Sequence, residues 1–150
     1  MRRLKILHIE DSEEDALLFG RACGAAGLQA DVHEVRNGSE AVSYLEGDGN
    51  FADRNAYPLP DLIVLDLNMP EMNGFDFLRW PRAHAAFLLL PVLVFTRSKS
   101  AEDKVRAIAE GATAYFVKPE NFEMFVRIAE SFRNVVTNGQ DKKMSRRLDF

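Results

Sequence analysis

Three carboxylates, one hydroxyl and one ammonium stand at the C-terminal ends of short apolar runs in this 150-residue chain. Glu10 and Asp11 follow the run at Leu4–Ile9, and Asp66 follows Leu62–Leu65. Thr96 closes the run 91–96, and Lys118 follows Ala114–Val117. Carboxylates converging in one cleft repel each other. At about 4 Å and an effective dielectric near 20, each pair costs on the order of 4 kcal/mol. A divalent cation removes that cost. All-oxygen ligands with room for water suit Mg²⁺, and the His and Cys ligands that zinc favours are missing from the set. Beside such a cation, Asp66 has the makings of a carboxylate nucleophile. Phosphoryl transfer asks mainly for positioning and charge neutralisation. Lys118 offers a second positive centre, and the Thr96 hydroxyl a hydrogen bond to a phosphoryl oxygen. Each residue alone has an ordinary explanation: Asp66 as a helix cap, Lys118 as an ion-pair partner. The signal lies in the set, spread over four strand ends.

The elements that must hold these groups alternate. Leu62–Leu65 is an unbroken apolar run between Pro60 and a turn-rich segment, as in a strand buried on both faces. Asn68, Pro70, Asn73 and Gly74 then form a shaped loop. Strands are expected at Leu4–Ile9, Ala30–Val35, Leu62–Leu65, 91–96 and Ala114–Val117. His8 reads as a core or cross-strand residue. Ser12 reads as an N-cap with Asp15 three residues on, and Gly27 as the left-handed close of that helix. Asn37-Gly38 reads as a turn, with Ser39 starting a helix that turns Ala41, Val42 and Leu45 inward. Phe75 and Leu78 are expected inward on the third helix, with a kink or early break at Pro81 and an exposed His84. Ser100 caps a fourth helix with Val105, Ile108 and Ala109 facing the core. Asn121 begins a fifth, with an apolar stripe of Phe122, Phe125, Val126, Ala129, Phe132 and Val136. Strand and helix alternating five times imply an α/β fold, a doubly wound parallel sheet in the order 2-1-3-4-5.

One domain is expected over residues 1–136, with 137–150 a frayed helix extension or a disordered tail. The segment 47–60 is long for a loop in a compact domain, pinned by Phe51 and Tyr57. It is either a tolerated surface insertion or a partner-contact loop. A net charge of −4 speaks against a nucleic-acid surface. Cys23 is alone, so no internal disulfide forms, which suits a reducing, cytoplasmic setting. The N-terminal apolar run is too short and charged for a signal peptide, and no run approaches a membrane span.

The set Glu10-Asp11, Asp66, Thr96 and Lys118-Pro119 resembles the receiver domain of two-component response regulators, over roughly residues 4–136. The spacing from Asp66 to Thr96 to Lys118 matches that family, and the 47–60 loop accounts for the longer spacing from Asp11 to Asp66. The resemblance implies a flavodoxin-like (CheY-like) fold and phosphorylation of Asp66 by a sensor histidine kinase, with no enzymatic turnover of its own. It implies Mg²⁺ held by Asp11, Asp66 and the Asn68 backbone carbonyl, with Glu10 acting through water. It implies a switch in which Tyr115 turns inward as Thr96 moves to the phosphate, and a cis peptide before Pro119. The long loop, the extended last helix and the lack of an output domain are similar to single-domain regulators that partner bacterial phytochromes. Arg97 departs from the family, which usually has a small residue there; it either narrows the site entrance or meets the kinase. An aspartyl-phosphate hydrolase needs an acid where Asn68 stands, and the acidic stretch 11–14 would repel a flavin phosphate. The apolar surplus of the last helix and the pair Tyr115-Phe116 lead to an expected homodimer through the fourth and fifth helices and last strand, unless the tail covers them.

Overall fold

Each apolar run expected as a strand is one, and the five pair in parallel. The computed structural model describes residues 3–69 and 73–137. In chain order the elements are β1 (Leu4–Ile9), α1 (Glu13–Ala25), β2 (Ala30–Val35), α2 (Gly38–Glu46), β3 (Leu62–Leu65), α3 (Gly74–Arg82), β4 (Val92–Thr96), α4 (Ala101–Ala109), β5 (Ala114–Val117) and α5 (Phe122–Glu130). The sheet order is β2-β1-β3-β4-β5, as the alternation implies. After a turn at Ser131 the chain is again helical over 132–137. The tail beyond Thr137 and the loop residues Pro70, Glu71 and Met72 lie outside the described residues.

Helices cover both faces, which is why the central strands read as continuous apolar runs rather than alternating ones. Leu7, Ile9, Ile63, Leu65, Val92 and Val94 pack with residues of α2, α3 and α4. On the other face Ile6, Leu62, Val64, Leu93 and Phe95 pack with Phe19 of α1 and Phe125 of α5. Tyr115 and Phe116 are divided between these two cores, both partly buried, so neither is left pointing into solvent. Buried His8 faces Glu34 across β1 and β2 and stacks on Phe19 with ring centroids 3.9 Å apart. Its Nδ1 lies 2.7 Å from a Glu34 oxygen without forming an aligned hydrogen bond to it.

Local chemistry shifts several helices from their expected phase. Asn37, not Ser39, caps α2, because its side chain accepts the Glu40 amide hydrogen. α3 runs through Pro81 to Arg82. The proline stands one residue from the helix end, where the chain has already tightened to the three-residue bonds Ala83 N to Trp80 O and His84 N to Pro81 O. Phe77 and Leu78 are its buried large residues, while Phe75 stays half-buried under the Arg106 guanidinium, 4.0 Å from the ring centre. On α4 only Ala107 is buried; Val105 and Ile108 are 70% and 47% exposed. Arg106 over Phe75, and Glu110 bonded to Arg79, dock α4 on α3 with its small residue inward. On α5, Phe125 is core and Phe122 is exposed.

The segment 47–60 is fastened from inside. Phe51 and Tyr57 pack edge-on to each other and against buried Tyr44. Arg54 donates to the carbonyls of Tyr44, Leu45 and Tyr57, satisfying the end of α2, and Tyr44 Oη donates to Pro58 O.

Candidate functional site

Sheet register assembles the site. β1 pairs Ile9 with Leu65 of β3, and Asp66 N donates to Ile9 O at 3.2 Å, so Glu10 and Asp66 leave the sheet side by side. On the other side β4 ends at Thr96, paired with Val117, and Lys118 N donates to Thr96 O at 2.7 Å. Four strand ends thus meet at one edge, where open α/β sheets place their ligands.

Glu10, Asp11 and Asp66 each present a carboxylate oxygen within 4.8 Å of the other two. Glu10 and Asp66 are buried and Asp11 is exposed. The Lys118 ammonium sits among the acids, 2.5 Å from Glu10 Oε1, 2.9 Å from Asp15 Oδ2 and 3.3 Å from Asp66 Oδ2. Burial alone would lower the Lys118 pKa, but Glu10, Asp66 and Asp15 together raise it above the usual lysine value, so the ammonium stays charged. Glu10 is pushed up to about 7, chiefly by burial, against the pull of Lys118 and with help from the Asp66 charge.

Asp66 Oδ1 accepts the Asn68 amide hydrogen at 3.2 Å, and Asn68 is itself exposed. The loop is drawn tight by Gly74 N donating to Leu67 O at 3.1 Å. Thr96 is fully buried, and its Oγ1 accepts from Ser98 N at 3.3 Å. Tyr115 Oη donates to Ser98 O at 3.1 Å, so the tyrosine and the threonine grip the same turn. The expected cis bond before Pro119 is not there: among the described residues no peptide bond is cis. Proline narrows the gap between the isomers to about 0.5–1 kcal/mol without favouring cis, so residue type alone does not choose.

Glu10, Asp11, Asp66, Thr96 and Lys118 meet at this edge, and Tyr115 stands behind it on the Ser98 turn. The sequence reading missed Asp15 as a member, seeing only a capping position. Its amide does bond Ser12 Oγ at 3.2 Å, but its side chain reaches Lys118 with one oxygen and Arg97 Nη2 with the other, the latter at 2.8 Å. The available signal was position: Asp15 lies in the first turn of α1, which starts directly after the strand-end acids Glu10 and Asp11. The donor set is all oxygen, which fits a hard divalent cation.

The family model of the response regulator receiver domain matches residues 6–130. Response regulator RPA3017 in red light signaling of R. palustris is 33% identical, covering 85% of this chain and 90% of its own, with a TM-score of 0.81. The phosphorylated cyanobacterial phytochrome response regulator RcpA is 28% identical, covering 87% and 91%, with a TM-score of 0.77. The Mn²⁺-bound form of response regulator Rcp1, a protein of Synechocystis sp., is 26% identical, covering 86% and 93%, with a TM-score of 0.74.

Proposed function

The chain belongs to the response regulator receiver domain family, and from that premise we propose that Asp66 accepts a phosphoryl group from a sensor histidine kinase of the phytochrome type. The observation that carries this is the Asp66 carboxylate at the end of β3, facing Lys118 at 3.3 Å and within 4.8 Å of the Glu10 and Asp11 oxygens. In the transfer an Asp66 oxygen bonds to phosphorus as the bond from phosphorus to the donor breaks, its electron pair leaving with the donor. Lys118 meets the charge on the phosphoryl oxygens, and Thr96 turns its hydroxyl to one of them. Asp11, Asp66 and the Asn68 carbonyl, with Glu10 through water, would hold a Mg²⁺ that would supply further charge neutralisation; the Mn²⁺-bound form of Rcp1 supports a divalent ion in this family.

The output of this reading is a change of shape, not catalytic turnover. Drawing Thr96 toward the phosphoryl group pulls on the turn that Tyr115 holds, which biases the α4–β5–α5 face only as far as the two conformations differ in affinity for the phosphate. That face carries exposed Val105, Ile108, Phe122 and Met124, and we assign it to a homodimer and to a downstream protein target. No described helix is long and apolar enough to cross a membrane, and a buried, unpaired Cys23 suits the cytoplasm.

Incubation with Mg²⁺ and acetyl phosphate should add one phosphoryl group by intact-protein mass spectrometry. A chelator or Asp66→Asn should abolish the adduct. Full labelling of Asp66→Asn would overturn the assignment.

A further inference from the structure

We propose that Asp15 is a positioning residue for Lys118, aiming one of its N–H bonds at the acceptor carboxylate; this rests on the phosphoacceptor reading of Asp66. A lysine ammonium has three donors. Here they meet three carboxylates, on Glu10, Asp15 and Asp66. The two shorter contacts hold the ammonium from the α1 side, and the longest points at Asp66. With two donors occupied, the third has little choice of direction.

Among the described residues, the Lys118 ammonium meets Glu10, Asp15 and Asp66. A cavity of about 30 Å³ adjoins Glu10, Asp15 and Lys118, with Phe19, Phe95 and Phe125 as well as His8 and Arg97 in the rest of its lining. That is room for little more than a water. An ammonium that lost Asp15 would keep an unpaired donor in a nearly enclosed site, which is costly. It would turn wholly to Glu10 or collapse onto Asp66, and in either case the aim is lost.

Arg97 completes the device. It is 72% exposed, and it takes the Asp15 oxygen that Lys118 does not use. A surface cation of this kind adds little stability. Its effect is to fix which oxygen faces Lys118 and to offset a further negative charge beside an incoming phosphoryl dianion. The departure at Arg97 and the acid at Asp15 are therefore one feature.

Position and charge are separated by three variants. Asp15→Asn keeps an acceptor oxygen at the same reach without the charge. Asp15→Glu keeps the charge but moves the oxygens by a methylene. Asp15→Ala removes both. The rate constant for labelling Asp66 with Mg²⁺ and saturating acetyl phosphate should fall about tenfold in Asp15→Ala and Asp15→Glu, the worth of one charge-assisted hydrogen bond, and stay within about threefold of wild type in Asp15→Asn. Lysine-ammonium NMR reads the geometry without any phosphorylation: the Lys118 signal should be protected from exchange in wild type and Asp15→Asn, and exposed in the other two. The reverse order, with Asp15→Glu near wild type and Asp15→Asn slow, would assign a charge role only and overturn the proposal, as would wild-type rates and protection in Asp15→Ala. An unlabelled wild type refutes the phosphoacceptor reading itself, whereas a labelled wild type with an unlabelled Asp66→Asn leaves that reading standing whatever Asp15 does.

Discussion

Glu10 shows how a single residue reports the electrostatic state of the site. Its carboxyl is raised from 4.5 to about 7, first by burial, with Lys118 opposing and Asp66 assisting. The unfolded chain gives up this proton near 4.5, while the native state keeps it until near 7. Between those values the native state binds more protons, so stability falls as pH rises. The contribution is whole below the lower value and gone above the upper one. Glu10→Gln, neutral throughout, should lose that component: metal-free stability by urea titration should drop less between about pH 5 and about pH 8 in the variant than in wild type. Equal drops would show that another group carries the slope. The identity of Glu10 was legible from its place after an apolar run. Its proton affinity was not, because it depends on Lys118, which lies 108 residues away in the chain.

At the scale of elements, the start of α3 is set against the end of β3 by a close approach at Gly74. A Cβ on Gly74 would stand 2.5 Å from Leu67 Cα and 2.8 Å from Asp66 O, both of them backbone atoms with no freedom to retreat. Gly74→Ala should therefore cost about 1–3 kcal/mol of stability, the range for overpacking, and should slow acetyl phosphate labelling because Asp66 is dragged with its carbonyl. Gly20 on α1 is the control: nothing lies within 4 Å of its would-be Cβ, so Gly20→Ala should be stabilising by up to about 1 kcal/mol through helix propensity. Matching melting curves for Gly74→Ala and wild type would refute the close approach. Helix caps were readable where a side chain bonds three residues on, as at Ser12, Ser100 and Asn121. Helix faces were readable on α2 and α5, where Ala41, Leu45, Phe125 and Ala129 are buried as expected, but not on α4: Val105, Ile108 and Ala109 recur at helical spacing, yet Arg106 and Glu110 dock it the other way round.

For the molecule as a whole, that rotation changes where the dimer argument rests. The sequence located surplus apolar surface on α5, but Ile128 and Val135 pack against the core and Phe125 lies within it. On these two helices the exposed apolar groups are instead Val105 and Ile108 of α4 and Phe122 and Met124 at the start of α5, and exposed apolar surface of this kind is what an interface would cover. Sedimentation at micromolar concentration should show a phosphorylation-biased dimer in wild type and a folded monomer for Ile108→Glu. Ile128→Glu should lower the melting temperature instead, since it places a charge against packed side chains. A wild type that is monomeric with and without phosphate would end the homodimer assignment. The sequence by itself determined the alternation of strand and helix, hence the parallel sheet and its order, because apolar runs, caps and turn residues are local signals and handed crossovers leave few topologies. It also determined which groups stand at the strand ends. Only the tertiary structure decided how those groups share charge, that Asp15 joins them, that the 47–60 segment seals α2, and which side of α4 meets solvent. Those outcomes depend on distances between residues remote in the chain, which spacing along one element does not encode.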